Sequence, residues 1–212
     1  MRAPKADTVL RQEQITEAAM GLIAQHGMAG LSIAAIAERV GIVPSAVYRH
    51  FPGKEAVLDA VLDLLRIRMR ANVEAVRAEF ASPLEQLHAL LHRHLTMLVE
   101  NRAFPYVVFS HLAQEQDPAR RARLEDTMHR FIQQVAEIVR QGQRNGEIRP
   151  DLSQRSVAVM FIGLVLPTAL LFRLSQGEFD PLGHLRTAWP TFVRGIQADH
   201  TSHPTDRLRR QT

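Results

Sequence analysis

Apolar residues recur at helical spacing along most of the chain, and nowhere do they alternate over a stretch long enough to predict a strand. The first stripe predicts an amphipathic helix over about residues 8–26, with Gly27 as its C-terminal cap. This stripe follows the spacing i, i+3, i+4, i+7 and i+8 and consists of Ile15, Ala18, Ala19, Leu22 and Ile23. The same spacing continues in later segments, so the pattern predicts an all-α protein.

Two short helices follow the first, and capping residues set their predicted ends. Ser32 stands where an N-cap belongs, and the apolar stripe after it stops at Gly41. Pro44 suits the first position of a third helix, because its missing N–H costs nothing there, and this helix extends only to about Phe51. Two short helices joined by so tight a turn predict a helix-turn-helix motif.

The third helix has an inner and an outer side. On a wheel of 100° per residue, Val47 and Phe51 lie on the inner side. The outer side carries Ser45, Ala46, Arg49 and His50. A major groove admits a helix whose outward residues can hydrogen-bond base edges, which favours DNA recognition. A helical hairpin with a solvated basic face is the alternative interpretation of this pattern.

The segment LSIAAIAERVGIVPSAVYRHFPGKEAVL resembles the N-terminal domain of the tetracycline-repressor (TetR) family. The resemblance covers residues 8–58. Its most specific part is similar to the family string G-V-x-x-x-x-L-Y-x-H-F-x-x-K-E and comprises Gly41, the run from Val47 to Phe51, Lys54 and Glu55. The resemblance implies a dimeric transcription regulator whose remaining helices bind a small effector.

Matching positions in the resemblance imply the DNA contacts. Tyr48, His50 and Lys54 would contact backbone phosphates, which fix register without reading sequence. Ser32 would anchor the second helix. The positions that vary in the family, and so would face the bases, are Pro44, Ser45, Ala46 and Arg49. Of these, Arg49 alone can make a bidentate contact to guanine.

This sequence departs from the family pattern at two positions. Val43 stands where the family often has a serine or a similar cap for the third helix, and Pro44 offsets part of that loss. Ala34 replaces a base-reading arginine of some members. The second helix is therefore expected to contribute little specificity, and the operator sequence cannot be predicted.

Further helices are predicted over about residues 54–80, 83–101, 104–115, 118–145, 151–176 and 181–198. Asp151 with Gln154 resembles a capping box at the start of one of them. The chain thus divides into a three-helix DNA-binding domain over residues 1–53 and a helical effector-binding and dimerisation domain over residues 54–199. Residues 200–212 are polar and are expected to form a frayed tail.

The segment over residues 157–172 is apolar on every side. It is shorter than the roughly 20 residues that a membrane span requires, so a buried helix is expected instead of a membrane contact. An all-round apolar helix needs partners on two faces. The resemblance supplies them as the chain's own effector domain and a four-helix interface with a second chain. The residues expected at this homodimer interface are Leu164, Leu171, Trp189 and Phe192.

The resemblance places the effector pocket among the fourth to eighth helices. Plain core packing is the alternative role for each inward residue of those helices. The candidates are Leu65, Met69, His88, Leu91, Phe109, Met128, Phe131, Phe161 and Arg173. Their Met and Phe content indicates an apolar, adaptable cavity, and the scarcity of acidic residues disfavours a strongly cationic ligand.

The composition of the chain narrows the class of protein, its possible partners and its expected location. The 212 residues are 46% hydrophobic and 23% charged, as in ordinary globular proteins. The net charge of +4 permits an anionic partner such as double-stranded DNA. No cysteine is present, and the first residues contain no apolar leader, so a reducing cytoplasmic location is expected.

Candidate catalytic chemistry is sparse. Glu85 and His88 have the E-x-x-H spacing of di-iron bundles, but a second such motif is missing. His88 and His92 share a helix face and could bind a metal through two nitrogens, although pocket-lining or solvated histidines are favoured. No Gly-rich phosphate loop or nucleophile elbow occurs, so neither an enzyme nor a cofactor is expected.

The sequence as a whole predicts a ligand-responsive repressor that leaves a palindromic operator when a small, largely apolar effector binds. The alternative is a DNA-binding adaptor that is controlled by a protein partner and has no small-molecule effector. A closed, fully packed core among the fourth to eighth helices would favour that alternative.

Overall fold

The computed structural model describes residues 5–113 and 118–198, and these form nine α-helices with no strand among them. The first three are α1 Lys5–His26, α2 Ile33–Val40 and α3 Pro44–Tyr48, with a 3-10 turn at Met28–Gly30. The others are α4 Lys54–Glu79, α5 Pro83–Glu100, α6 Ala103–Ala113, α7 Pro118–Arg144, α8 Gln154–Leu174 and α9 Pro181–Ile196. The all-α prediction is confirmed. The expected tail at 200–212 lies outside the described residues.

Local capping defines the turn between α2 and α3. The Ser32 hydroxyl accepts a hydrogen bond from the Ala35 N–H at 3.1 Å, which confirms Ser32 as the N-cap of α2. Gly41 has φ of 75°, a left-handed conformation that costs glycine nothing, and it ends the helix. Val43 is the N-cap of α3 and makes no side-chain bond, while Pro44 occupies the first turn. The uncapped start expected from Val43 is therefore present.

Helix α3 ends at Tyr48, one turn earlier than the predicted end at about Phe51. The N–H groups of His50 and Phe51 both donate to the Val47 carbonyl, at 2.9 and 3.0 Å. Pro52 follows directly, and a residue before proline is disfavoured in the helical region. Helix α3 therefore ends several residues before Pro52, whereas the prediction placed its end directly before that proline.

A first core lies between the N-terminal helices and the start of α4. Ile15, Ile36 and Val47 have no exposed surface and tie α1, α2 and α3 together. The same cluster includes Leu65 from α4 and Phe104 from α6. The predicted domain boundary at residue 54 thus falls at the start of a helix whose first half packs with the N-terminal helices.

A second core joins the later half of α4 to α5, α7, α8 and α9. Helix α5 supplies a buried stripe at helical spacing that includes Leu87, Leu90, Leu91 and Leu95. Helix α8 contributes Phe161, whose side chain is fully buried and whose ring lies 6.3 Å from that of Phe192 in α9.

The loop between α7 and α8 is tied to the end of α9. The Arg149 N–H donates to the Ile196 carbonyl at 2.9 Å. The expected capping box of Asp151 and Gln154 is wrong, because the N-cap is Ser153, whose hydroxyl accepts from the Ser156 N–H at 3.3 Å. Asp151 instead pairs with Arg149, whose hydrogen bond lowers the pKa of that carboxyl.

Helix α8 is apolar on two faces, as expected. One face packs against α7 and α9 through Ala158 and Phe161. The other face exposes Val159, Met160, Leu166, Leu170, Leu171 and Leu174, of which Leu174 is 69% exposed. Among the described residues, α8 is the one helix long and apolar enough to cross a membrane by length and composition, with a mean hydropathy of 2.2.

Candidate functional site

The short helix α3 presents its polar residues outward because two apolar residues hold its other side. Val47 is fully buried in the first core, and Phe51 is buried just after the helix. Ala46 and His50 are half-buried. The exposed residues are Pro44, Ser45, Tyr48 and Arg49. The predicted inner side of Val47 and Phe51 is confirmed, whereas Tyr48, which the wheel places beside them, is exposed.

His50 and Lys54 border α3 on its C-terminal side. The His50 side chain is half-buried, and its buried Nδ1 has no hydrogen-bond partner. Lys54 is the first residue of α4, and the preceding Gly53 makes no side-chain cap. The amino group of Lys54 and the uncapped N–H groups of α4 form a positive helix end of the kind that accepts a phosphate.

The predicted DNA-contacting residues therefore occupy the ends of three neighbouring helices. Ser32 begins α2, and Lys54 begins α4. Pro44, Ser45, Ala46 and Tyr48 belong to α3, with Arg49 and His50 directly after it. Such a surface can combine phosphate contacts at its edges with base contacts from its centre.

An apolar cavity of about 100 Å³ lies between α4, α5, α6, α7 and α8. Of the expected pocket residues, those that line it are Leu65, Met69, Phe109, Met128 and Phe131. Sequence reasoning missed several others, among them His94, Met97, Leu98, Phe104, Thr127, Ile162 and Val165. Apart from His94 and Thr127, the described lining carries no polar side chain.

Four expected pocket residues lie elsewhere. Leu91 and Phe161 are fully buried in the second core, where packed neighbours leave no void. His88 is on the exposed side of α5, with its ring 4.9 Å from that of Trp189. The Arg173 guanidinium lies over the rings of Tyr106 and Phe109, 5.1 and 5.8 Å from their centroids. Arg173 thus supports one wall of the cavity from outside.

His94 is the most unusual of the residues that the sequence interpretation passed over. It continues the leucine stripe of α5, three residues after Leu91 and four before Leu98. A histidine in the middle of such a stripe was the available signal. The side chain is 4% exposed, its ring meets that of Phe131 edge to face at 4.9 Å, and neither ring nitrogen has a hydrogen-bond partner.

Burial sets the charge of His94. Desolvation lowers the pKa of the imidazole to about 4, and the Leu90 carbonyl opposes this shift only in part. The ring is consequently neutral at pH 7. On the outside of the same helix, partial burial and then the nearby His92 lower the pKa of His88.

The cavity shares its wall with the N-terminal helices α1, α2 and α3. Leu65 and Phe104 belong to the first core and also line the cavity. Arg68 lies at this junction, with hydrogen bonds to Asn101 at 2.8 Å and to Glu17 of α1 at 3.1 Å. Its guanidinium also lies 5.6 Å from the centroid of the Phe104 ring.

The expected dimer residues divide between surface and interior. Leu171 is exposed on the outer face of α8, and Leu164 and Trp189 are half-buried. Phe192 is 6% exposed and packs against Phe161 inside the same chain. Its expected place at the interface is corrected by this burial, because the inner face of α9 turns toward its own core.

The histidine pair on α5 has no further ligands around it. Within the described ranges, no group of three or more His, Cys, Asp or Glu side chains is placed to hold a metal ion. His92 has its Nδ1 3.5 Å from the Thr96 hydroxyl. The ring of His88 packs against the ring of Trp189.

Two family models match the chain in succession. The model described as bacterial regulatory proteins of the tetR family matches residues 15–61. The model described as the tetracyclin repressor-like C-terminal domain matches residues 81–178. The first range contains α2, α3 and the start of α4, and the second contains most of the cavity wall.

Similar proteins extend over nearly the same length as this chain. The nucleoid occlusion factor SlmA of Vibrio campbellii is 23% identical over 84% of this chain and 92% of its own. A TetR transcription regulator from Haloarcula marismortui has a TM-score of 0.77 at 20% identity and covers 89% of this chain and 99% of its own. The regulator FadR of Bacillus subtilis, solved with stearoyl-CoA, has a TM-score of 0.71 at 21% identity, with coverage of 87% and 98%. At these identities the structural likeness shows the fold.

Proposed function

The chain belongs to the bacterial tetR family of regulatory proteins, and we propose that it is a repressor that binds a palindromic operator as a homodimer in the cytoplasm. It leaves the operator when a small, largely apolar effector enters the cavity. The observation that carries this proposal is the shared wall: Leu65 and Phe104 belong both to the core of the DNA-binding helices and to the cavity lining.

DNA binding rests on the outer surface of α3 and the helix ends beside it. Tyr48, His50 and Lys54 contact backbone phosphates, and Ser32 fixes the start of α2. Pro44, Ser45, Ala46 and Arg49 face the bases, where the Arg49 guanidinium reads a guanine. The exposure of Arg49 and Tyr48 and the complete burial of Val47 support this assignment.

The size of the cavity supports a conformational response to the effector. Ligand sites commonly measure about 300 to 1,000 Å³, whereas this cavity holds about 100 Å³. An effector must therefore displace lining side chains, and Met69, Met97 and Met128 are flexible enough to move. Because Phe104 is part of the first core, expansion on one side shifts packing on the other. The effector can weaken DNA binding by no more than the ratio of its affinities for the expanded and the unexpanded state.

The apolar lining supports an effector whose buried part is hydrocarbon. The FadR structure similar to this chain contains stearoyl-CoA, a ligand with a long hydrocarbon portion. A strongly cationic effector is disfavoured here, since no acidic side chain lines the described cavity.

Assembly rests on the exposed apolar face of α8. Met160, Leu171 and Leu174 are 55%, 45% and 69% exposed in a single chain. A contiguous apolar surface of this kind marks an interaction site. Pairing α8 with its copy in a second chain covers this face and sets two α3 helices for two half-sites of one operator.

A DNA-binding adaptor controlled by a protein partner is the second candidate. Two observations favour it, namely the small volume of the cavity and the likeness to a protein named a nucleoid occlusion factor. In this candidate no compound changes DNA binding, and a protein bound to the outer helices does so instead.

One experiment separates the two candidates. An operator is first selected from random DNA, and compounds that raise the melting temperature are then tested for release of that operator by fluorescence anisotropy. Filling the cavity by Ala169→Phe is expected to abolish the response to such a compound while operator affinity stays the same. The control Ala122→Phe, on the exposed side of α7, should leave both unchanged. A protein that binds its operator but responds to no compound supports the adaptor instead.

A further inference from the structure

His94 brings a buried imidazole ring to the wall of an otherwise apolar cavity. The side chain is 4% exposed, and neither Nδ1 nor Nε2 makes a hydrogen bond of ordinary geometry, although the Leu90 carbonyl is close enough to raise the pKa of the ring slightly against the effect of burial. A buried polar atom without a partner destabilises a fold, and almost all such atoms in native proteins are satisfied. A leucine would continue the stripe of Leu90, Leu91 and Leu98 without that cost. The position therefore carries a polar group for a reason other than packing.

The ring is also held in one orientation. Phe131 meets it edge to face, with the ring centroids 4.9 Å apart and the planes at 84°. Phe131 itself lines the cavity and is 5% exposed. The ring is packed away from solvent, so a ligand that enters the cavity is the partner best placed to complete its hydrogen bonds.

The charge state limits what that partner is. At neutral pH the ring is uncharged, because burial lowers the pKa of His94, and it offers one N–H donor and one nitrogen acceptor. No other titratable side chain belongs to the described lining. A carboxylate or an ammonium group would enter without a counter-charge, which is unfavourable in an apolar site.

Thr127 supplies the second polar group of the described lining. Its hydroxyl donates to the Arg123 carbonyl at 2.9 Å. Since the hydroxyl hydrogen is used, the oxygen can only accept a further hydrogen bond. A ligand hydroxyl can donate to the acceptor nitrogen of His94 or accept from its N–H, whereas a ligand carbonyl can only accept from that N–H.

We propose that His94 is the specificity-determining polar contact of this cavity and selects an uncharged, largely hydrocarbon ligand that bears a hydroxyl or keto oxygen. The proposal rests on the proposed function only in taking the cavity as a ligand site. Hydrocarbon contacts supply most of the affinity, and the oxygen on His94 decides which hydrocarbon is accepted. An analogue without the oxygen leaves both imidazole nitrogens unpaired, and discrimination by hydrogen bonding relies on that penalty.

Phenol and toluene form a matched pair of probes, because they have nearly the same shape and differ by a hydroxyl in place of a methyl group. Both are uncharged at pH 7. An engineered cavity of about 150 Å³ is known to accept benzene, so rings of this size need only a modest expansion of this one. Binding to the full-length protein and to His94→Phe is measured by ligand-observed NMR. His92→Phe, the same substitution on the exposed side of α5 and outside the lining, is the control.

The ratio of the toluene to the phenol dissociation constant is expected to fall about tenfold from the wild type to His94→Phe, since one hydrogen bond contributes about that much. In His92→Phe the ratio is expected to stay as in the wild type. An unchanged ratio in His94→Phe, with both probes still bound, overturns the role of His94 and leaves the cavity as a ligand site. If neither probe binds the wild type, the cavity itself fails as a ligand site, and the proposal fails with it.

A measurement on the wild type does not depend on the folding of a variant. The ring ¹⁵N resonances of His94 are expected to shift on adding phenol, because a nitrogen gains a hydrogen bond, and to change little on adding toluene. Equal shifts with the two probes would show that the ring responds to filling of the cavity and not to the oxygen.

Discussion

At the scale of single residues, the proposed DNA contacts of Arg49 and Lys54 are of two kinds. Arg49 is exposed directly after α3, and its planar guanidinium can form two hydrogen bonds to one guanine. Lys54 begins α4, where its amino group adds to the positive helix end. A base contact depends on sequence, whereas a phosphate contact does not.

Arg49→Ala is expected to weaken operator binding by about 1 to 3 kcal/mol and to relax the preference at one base pair in each half-site. Lys54→Ala should weaken binding to all sequences alike and reduce the slope of log K against log salt by about one unit. Fluorescence anisotropy on operator and random DNA over a salt series measures both. Equal losses on the two DNAs for both variants would contradict the division of roles.

The titration of His94 makes stability depend on pH. The pKa of His94 falls from the ordinary value of 6.5 to about 4 in the folded chain. At pH values between these two, the imidazole is protonated in the unfolded chain and neutral in the folded chain. The free energy of unfolding therefore falls with acidification over this window. The contribution of His94 is about 3 kcal/mol, at about 1.4 kcal/mol for each pH unit.

His94→Phe is expected to remove this contribution. Urea unfolding of both proteins at a series of pH values from 7 to 4 should show the wild type losing stability faster than the variant. The two curves should approach a constant difference above pH 7 and below about pH 4. Parallel curves across the whole range would show that His94 does not titrate as a buried neutral ring.

At the scale of elements, α6 and the middle of α4 connect the cavity to the DNA-binding helices. Arg68 of α4 joins Glu17 of α1 to Asn101 at the end of α5, and its guanidinium lies over the ring of Phe104 in α6. Phe104 lines the cavity. A movement of the Phe104 ring therefore displaces Arg68, whose guanidinium is hydrogen-bonded to Glu17 of α1.

Arg68→Ala is expected to reduce the factor by which a bound effector weakens operator affinity, with little change in the affinity for the effector itself. Couplings between sites commonly amount to about 1 to 3 kcal/mol, so a loss of severalfold is measurable. Operator binding by anisotropy, with and without a saturating effector, gives the factor.

Glu17→Gln is the control for Arg68→Ala. The pair of Glu17 and Arg68 is 57% and 33% exposed, so the ion pair alone contributes little to stability. The glutamine keeps an oxygen that can accept from Arg68. A full response in Arg68→Ala would show that the signal reaches α1 by another route.

At the scale of the whole molecule, we expect the exposed outer face of α8 to form the homodimer interface. Leu171 and Leu174 are exposed in the single chain, so a charge at either position disturbs the protomer core little. In a homodimer the same charge is buried without a partner and costs several kcal/mol, on the order of 3 to 5. Failure to pair can thus be distinguished from failure to fold.

Leu171→Glu is expected to sediment as a monomer with unchanged helical circular dichroism and to lose tight operator binding. The binding is lost because one DNA-binding domain contacts too few phosphates and bases, while a two-fold pair contacts two half-sites. Ala122→Glu, on the exposed side of α7, should remain dimeric and bound. A wild type that sediments as a monomer at micromolar concentration would contradict the interface.

Local chemistry made the helices and the turn between α2 and α3 predictable from the sequence. The cap at Ser32 and the left-handed Gly41 depend on a few adjacent residues, so their interpretation needed no tertiary information. The periodicity of apolar residues predicted an all-α chain, and the string around Tyr48 and His50 indicated the family that the comparisons confirm. Even the missing cap at Val43 could be predicted, because a valine side chain has no oxygen that could accept a hydrogen bond from a backbone N–H.

The position of the cavity was decided only by the tertiary structure. An apolar stripe shows that a residue faces inward, but not whether a neighbouring helix fills the space opposite it. Leu91 and Phe161 meet packed neighbours, whereas His94 and Phe104 border a void, because five helices cross there without filling it. Phe192 turned inward for a similar reason: the stripe of α9 is satisfied by its own core, and the surface left for a second chain is that of α8. Voids and free faces arise from how helices pack together, and no single segment of the sequence contains that information.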